Sequence, residues 1–106
     1  MNIFIIDFSA TPTLIEKFSS KHQITTENKD GAMAYKTVGL QMPDIICINY
    51  KDLPSHGRQT AISIKQRKKT AHIPIFFIDG NKIDNEKVAT LGRCISSKEI
   101  SHYIDN

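Results

Sequence analysis

The sequence predicts a single α/β domain built on a parallel sheet, and three observations carry that expectation. Apolar runs of strand length alternate with amphipathic, helix-like segments from one end of the chain to the other. The two most apolar runs, "DIICIN" (44–49) and "IPIFFID" (73–79), are continuous rather than alternating, as strands covered on both faces are. The 106 residues make one domain, without an interior linker, repeat or low-complexity segment.

Each element follows from its residues. "NIFIID" (2–7) is a short apolar run closed by a Ser/Thr/Pro loop and reads as a buried strand. Thr11 and Pro12 suit the N-cap and first turn of a helix whose stripe is Leu14, Ile15 and Phe18. "HQITTEN" (22–28) is more polar and suits an edge strand. Asp30 caps a second helix with Met33, Val38 and Tyr35 facing inward, and Gly39 and Pro43 punctuate its end.

After "DIICIN" comes a polar loop over 50–57, then a third helix over 58–69 with Ala61, Ile62 and Ile64 inward. "IPIFFID" leads to a short helix over 84–91, with Val88, Ala89 and Leu91 inward and Gly92 at its stop. "RCIS" (93–96) is a fifth strand, and Ser96-Ser97-Lys98-Glu99 has capping-box spacing for a last helix carrying Ile100, Tyr103 and Ile104.

The composition, 40% hydrophobic and 24% charged, is that of an ordinary globular domain. No apolar run approaches the roughly 20 residues that span a bilayer. "MNIFIIDFS" lacks a basic leader and is interrupted by Asp7, so a cytoplasmic location is expected. Cys47 and Cys94 sit in apolar runs and read as buried thiols, not a disulfide. The net charge of +3 permits an acidic partner without requiring one.

In a parallel α/β sheet, function gathers at the carboxyl ends of the strands. Here those ends carry Asp7, Asn49, Asp79 and Ser96/Ser97. Three stretches, "PDIICIN" with its Pro/Gly loop, "TAHIPIFFID" and "ATLGRCIS", resemble in order and position the receiver domain of two-component response regulators. The resemblance covers nearly the whole chain. It implies a flavodoxin-like, three-layer α/β/α fold with a five-stranded parallel sheet in the order 2-1-3-4-5. The chemistry it would imply is Mg²⁺-dependent transfer of a phosphoryl group from a histidine kinase to an Asp ending the third strand.

Carried over position by position, that chemistry fails. The phosphoacceptor falls on Asn49, whose delocalised amide nitrogen forms no acyl phosphate and offers a hard cation no charge. The acidic pair after the first strand falls on Asp7 and Phe8, leaving one carboxylate. The Thr or Ser that ends the fourth strand corresponds to Asp79, which would repel a phosphoryl group. The Lys after the fifth strand falls on Ser97, with Lys98 one residue late, and the proline after it is absent. The aromatic switch residue falls on Cys94, and the last helix, ending at Asn106, is several residues short of the family norm. The resemblance is therefore to a pseudo-receiver, with no catalytic residue expected.

Several readings stay open at this level. Asn49 is either a structural cap on a buried strand or a relic that fixes the pocket in one state. Asp7 and Asp79 either bind a divalent cation such as Mg²⁺ weakly, or are neutralised by Lys98 or Lys82. Otherwise no cofactor or metal is expected. "KQRKK" (65–69) reads as a solvated helix end favoured by the helix dipole, and no base-reading face accompanies it, which argues against nucleic acid. His22, His56, His72 and His102 are dispersed without metal-ligand spacing, and His56 reads as a loop residue.

The expected function is phosphorylation-independent signalling through a protein partner, or through a homodimer, with no membrane contact. The interaction face implied by the resemblance is residues 82–104, with Lys82, Val88, Cys94 and Tyr103. With no output domain expected, any effect would pass through that partner. The alternative is a small-ligand or divalent-metal sensor using an Asp7/Asn49/Asp79 pocket.

Overall fold

A computed structural model describes residues 1–105; Asn106, the expected end of the last helix, lies outside the described residues. Five parallel strands form one sheet in the order β2-β1-β3-β4-β5. They are β1 (Asn2–Ile6), β2 (Gln23–Glu27), β3 (Ile45–Asn49), β4 (Ile75–Ile78) and β5 (Arg93–Ile95). The helices are α1 (Gly31–Gln41), α2 (Pro54–Gln66), α3 (Lys82–Glu86) and α4 (Ile100–Ile104). This is the three-layer arrangement expected from the alternation of elements. No helix among the described residues is long and apolar enough to cross a membrane.

The alternating pleat of the central strands feeds two cores. Phe4, Ile6, Ile46, Ile48 and Phe77 face α1 and α2 and pack with Ala34, Val38, Ala61 and Ile64. Ile3, Ile5, Cys47, Ile78 and Ile95 face the other way, against Leu14, Ile100 and Ile104. The first side is covered by two full helices, the second by one 3₁₀ turn and the short α4.

The structure corrects several sequence expectations. The first helix is only a 3₁₀ turn, Leu14–Lys17, and Thr11 caps nothing: Leu14 is buried, while Ile15 is exposed. The stretch is too short to repeat its apolar stripe, so Leu14 enters the core, Phe18 packs only partly against it and Ile15 is left outside. Gly39 does not end α1. It lies within the helix, where a Cβ would meet the Arg67 guanidinium, and Met42, in left-handed backbone at φ 50°, makes the stop.

Met33 is exposed, so the inner face of α1 is Ala34 and Val38 instead. The third helix starts earlier than expected, with Pro54 in its first turn, so His56 is a helix residue rather than a loop one. The fourth helix is likewise shifted, ending at Glu86.

Asp30 does cap α1, accepting from the N–H groups of Ala32 and Met33. The expected capping box before α4 is half made. Glu99 accepts from the Ser96 N–H, but the Ser96 hydroxyl also donates to Glu99 and caps no backbone group.

The basic run 65–69 is less solvated than its sequence suggests. Lys65 turns in to donate to the carbonyls of Ala71 and Ile73, and burial lowers the pKa of its ammonium. Arg67 lies 4.8 Å over the Tyr35 ring. Of its four cations, only Lys68 and Lys69 are fully at the surface.

Candidate functional site

The carboxyl edge of the sheet holds the polar row, and register decides which members meet. Ile6 pairs with Ile48, so Asp7 comes level with Asn49. Asn49 pairs with Ile78, so Asp79 comes level with Tyr50 instead, one residue further on. The expected trio of Asp7, Asn49 and Asp79 divides by its hydrogen bonds into two clusters: Asn49 bonds Asp7, and among the described residues Asp79 bonds neither.

In the first, Asp7 is 1% exposed and its carboxylate meets four protein donors. Oδ1 accepts from the Ser9 hydroxyl at 2.7 Å, the Ser9 N–H at 3.2 Å and the Asn49 amide at 2.9 Å. Oδ2 accepts from the Leu14 N–H at 3.1 Å, which ties the 3₁₀ turn to the strand end. Burial alone would raise the pKa of this carboxyl, but these hydrogen bonds more than reverse that and hold it below the usual carboxylate range.

Asn49 explains itself in this setting. Its Oδ1 accepts from the N–H groups of Lys51 and Asp52, closing the turn after β3. Its Nδ2 donates to Asp7 and, at 3.4 Å, to Asp52. The two ends of the amide are fixed by their neighbours, since reversal would set oxygen against two carboxylates. A carboxylate at this position could accept from the turn but could not donate to Asp7. Phe8, the other residue of the expected acidic pair, is half-buried against the core and edge-on to His56 at 6.4 Å.

The second cluster is open. Asp79 is exposed, sits in left-handed backbone at φ 61°, and accepts the Ser97 N–H at 2.8 Å. Asp tolerates that conformation better than most residues. Asp79 borders a cleft of about 530 Å³ with Lys51, Asn85, Cys94, Ser96 and Glu99. Neither Lys82 nor Lys98 pairs with Asp7 or Asp79 among the described residues. The expected ion-pair neutralisation is thus replaced by amide, hydroxyl and backbone donors.

Between the clusters stands a residue that the sequence reading assigned to the loop. Tyr50 is fully buried, packs edge-on against Phe77 at 5.0 Å, and donates from its hydroxyl to the carbonyl of Asp84. Arg58 donates to the same hydroxyl. Tyr50 thus ties the end of β3 to α3. A tyrosine directly after the apolar run was the available signal.

Of the expected interaction face, Lys82 and Tyr103 are exposed, but Val88 is fully buried in the core under α3. Cys94 is half-buried, with Sγ 3.9 Å from the Asn85 carbonyl, and burial raises its pKa and that of Cys47. Both cysteines are free. Ile83, 69% exposed, is an apolar member of the face that sequence reasoning missed. Phe76, Arg93 and Tyr103 stack on one another, with Arg93 5.2 Å over the Tyr103 ring.

No protein-family model matches the sequence, and no curated protein matches it. Solved structures do. The N-terminal domain of a response regulator receiver protein from Methanoculleus marisnigri JR1 aligns with a TM-score of 0.69 at 16% identity, covering 99% of this chain and 97% of that one. A response regulator from Desulfuromonas acetoxidans aligns with a TM-score of 0.74 at 17% identity, covering 98% and 93%. The chain has the receiver fold.

Receiver chemistry implies Mg²⁺ beside the end of β3, and the residues here do not fit it. A hard cation wants several oxygen ligands with room for its waters. Asp7 presents oxygens already taken by four protein donors, and Asn49 turns its nitrogen toward them. Among the described residues, no group of three or more His, Cys, Asp or Glu side chains is arranged to hold a metal ion.

Proposed function

We propose that this protein is a phosphorylation-independent receiver-like signalling domain that acts by binding another protein, without catalysis. One observation carries the reading: the position of the phosphoacceptor is held by an amide that hydrogen-bonds both Asp7 and the following turn. That arrangement offers no acyl-forming oxygen and keeps the neighbouring carboxylate occupied. What remains is a rigid scaffold with exposed apolar and cationic side chains beside the edge strand β5: Ile83, Lys82 and Tyr103. A protein partner suits that surface, and a second copy of the chain is the other candidate.

Incubation with acetyl phosphate and Mg²⁺, followed by intact-mass measurement, tests the inactive site; a phosphoryl adduct on the wild-type chain would overturn it. Capture of a partner from the native cell, lost on Ile83→Asp, tests the interaction face. Light scattering distinguishes a homodimer from a heterologous complex.

The alternative, a small-ligand or divalent-metal sensor, is favoured by the open cleft at the ends of β4 and β5 more than by Asp7. Its test is an amide NMR titration with Mg²⁺, Mn²⁺ or Ca²⁺. Saturable shifts confined to Asp79, Ser96 and Glu99 would support it, and silence up to millimolar metal would remove divalent cations as its ligand.

A further inference from the structure

A cleft of about 560 Å³ runs between α1 and α2, away from both polar clusters and from β5. Gly31 lets the helices approach: a Cβ there would lie 2.6 Å from the Thr60 hydroxyl. Along α2, Gln59, Ser63 and Gln66 line the cleft at a spacing that places them on one stripe. All three are exposed, and none makes a side-chain hydrogen bond among the described residues. Each can both donate and accept, as the backbone of an extended polypeptide requires.

The charged side chains that line the cleft are cationic, and the adjacent Asp30 carboxylate is engaged in capping α1. Arg67 closes one end, and Lys36 lies one turn beyond the lining residue Ala32 on α1. A smaller cleft of about 270 Å³ shares Gly31, Gln59 and Thr60 with the first and brings in Lys29. It extends the groove to Phe8 and Leu53, the latter 50% exposed. No carboxylate lines either cleft.

We infer that the α1–α2 groove docks an extended acidic segment of a partner protein. Its carboxylates face Arg67, Lys36 and Lys29, its backbone lies on the Gln59/Ser63/Gln66 stripe, and an apolar side chain rests on Phe8 and Leu53. The length of α2 is about 20 Å at 1.5 Å per residue, which about six extended residues would span. A single-stranded nucleic acid fits less well, because it needs free aromatic faces for its bases. The Tyr35 face is already covered by Arg67, and Phe8 is engaged with His56. The inference is independent of whether the β5 face binds a partner.

The test is an amide NMR titration of the full chain with a short capped peptide of Asp and Glu ending in Leu. Controls are the same peptide with Asn and Gln, and an oligothymidylate. The expected result is saturable shifts confined to Phe8 and residues 29–36 and 53–67, absent with the neutral peptide. Ser63→Glu, at an exposed helix position, should weaken binding about tenfold by setting a like charge in the groove. Gln59→Glu serves the same purpose should the first variant not fold. Shifts scattered over surface lysines, equal binding of the neutral peptide, or indifference to the introduced carboxylate would overturn the inference. Larger shifts of the same residues with oligothymidylate would do so too, by reassigning the groove to nucleic acid.

Discussion

The two halves of the sheet's carboxyl edge carry similar residues and treat them oppositely. At the ends of β1 and β3, Asp7 is buried and every oxygen is occupied by a protein donor. At the ends of β4 and β5, Asp79 is exposed and holds one backbone N–H. A one-residue difference in register separates them, since Asp79 stands level with Tyr50 rather than Asn49. The comparison teaches that a carboxylate at a strand end becomes structural when its neighbours supply donors, and remains available to ligands when they do not.

The largest expected effect lies in the closed half. Asp7→Ala would leave the Ser9, Leu14 and Asn49 donors unpaired in a buried site, costing about 3 kcal/mol or more. Urea denaturation monitored by circular dichroism would show it, and a loss under about 1 kcal/mol would mean that water replaces the carboxylate freely. Asn49→Asp comes next, at about 2 kcal/mol near neutral pH, because a donor becomes a second carboxylate facing Asp7. One carboxyl of that pair should titrate above its unfolded value, so the loss should shrink as pH falls.

The wild type should show the opposite sign. The Asp7 carboxyl is held below its ordinary value of 3.8, so its stabilisation is complete above that pH and is lost as pH falls through the lower folded value. Asp7→Asn should flatten this acid limb. Thermal melts across acidic pH would measure both slopes.

The open half should be forgiving. Asp79→Ala should cost about 1 kcal/mol, through one lost hydrogen bond and a left-handed backbone that Ala dislikes. Asp79→Gly should cost less than Asp79→Ala, because glycine relieves that backbone. A greater loss for Asp79→Gly would show that the carboxylate supports more than the Ser97 N–H.

Much of this fold was legible in the sequence because strands buried on both faces announce themselves as apolar runs. The apolar runs over 44–49 and 73–79 each placed a strand correctly, and the polar residues after them placed the edge where a site would lie. Legibility ended where the answer depended on distant partners. Tyr50 looks like a loop residue until its hydroxyl finds the Asp84 carbonyl, 34 positions away. Val88 reads as inward from its apolar spacing and lies in the core, whereas the resemblance also counts it in the interaction face, which it cannot join.

The division of the polar row was hidden for a related reason. Sequence places residues at strand ends, but only the register and the hydrogen bonds show that Asn49 meets Asp7 while Asp79 takes the Ser97 N–H. The role of Asn49 was half legible: its amide excluded an acyl phosphate, while its use as simultaneous donor and acceptor required the neighbours in place.

The central claim is that the site is held in one state by the protein's own donors. Its most direct test is the amide NMR spectrum of Asn49→Asp with acetyl phosphate and Mg²⁺. With Asp79, Ser97 and Cys94 unchanged, the account predicts that residues 82–104 keep the shifts they have without the phosphodonor. A phosphodonor-dependent change spreading through those residues would contradict it.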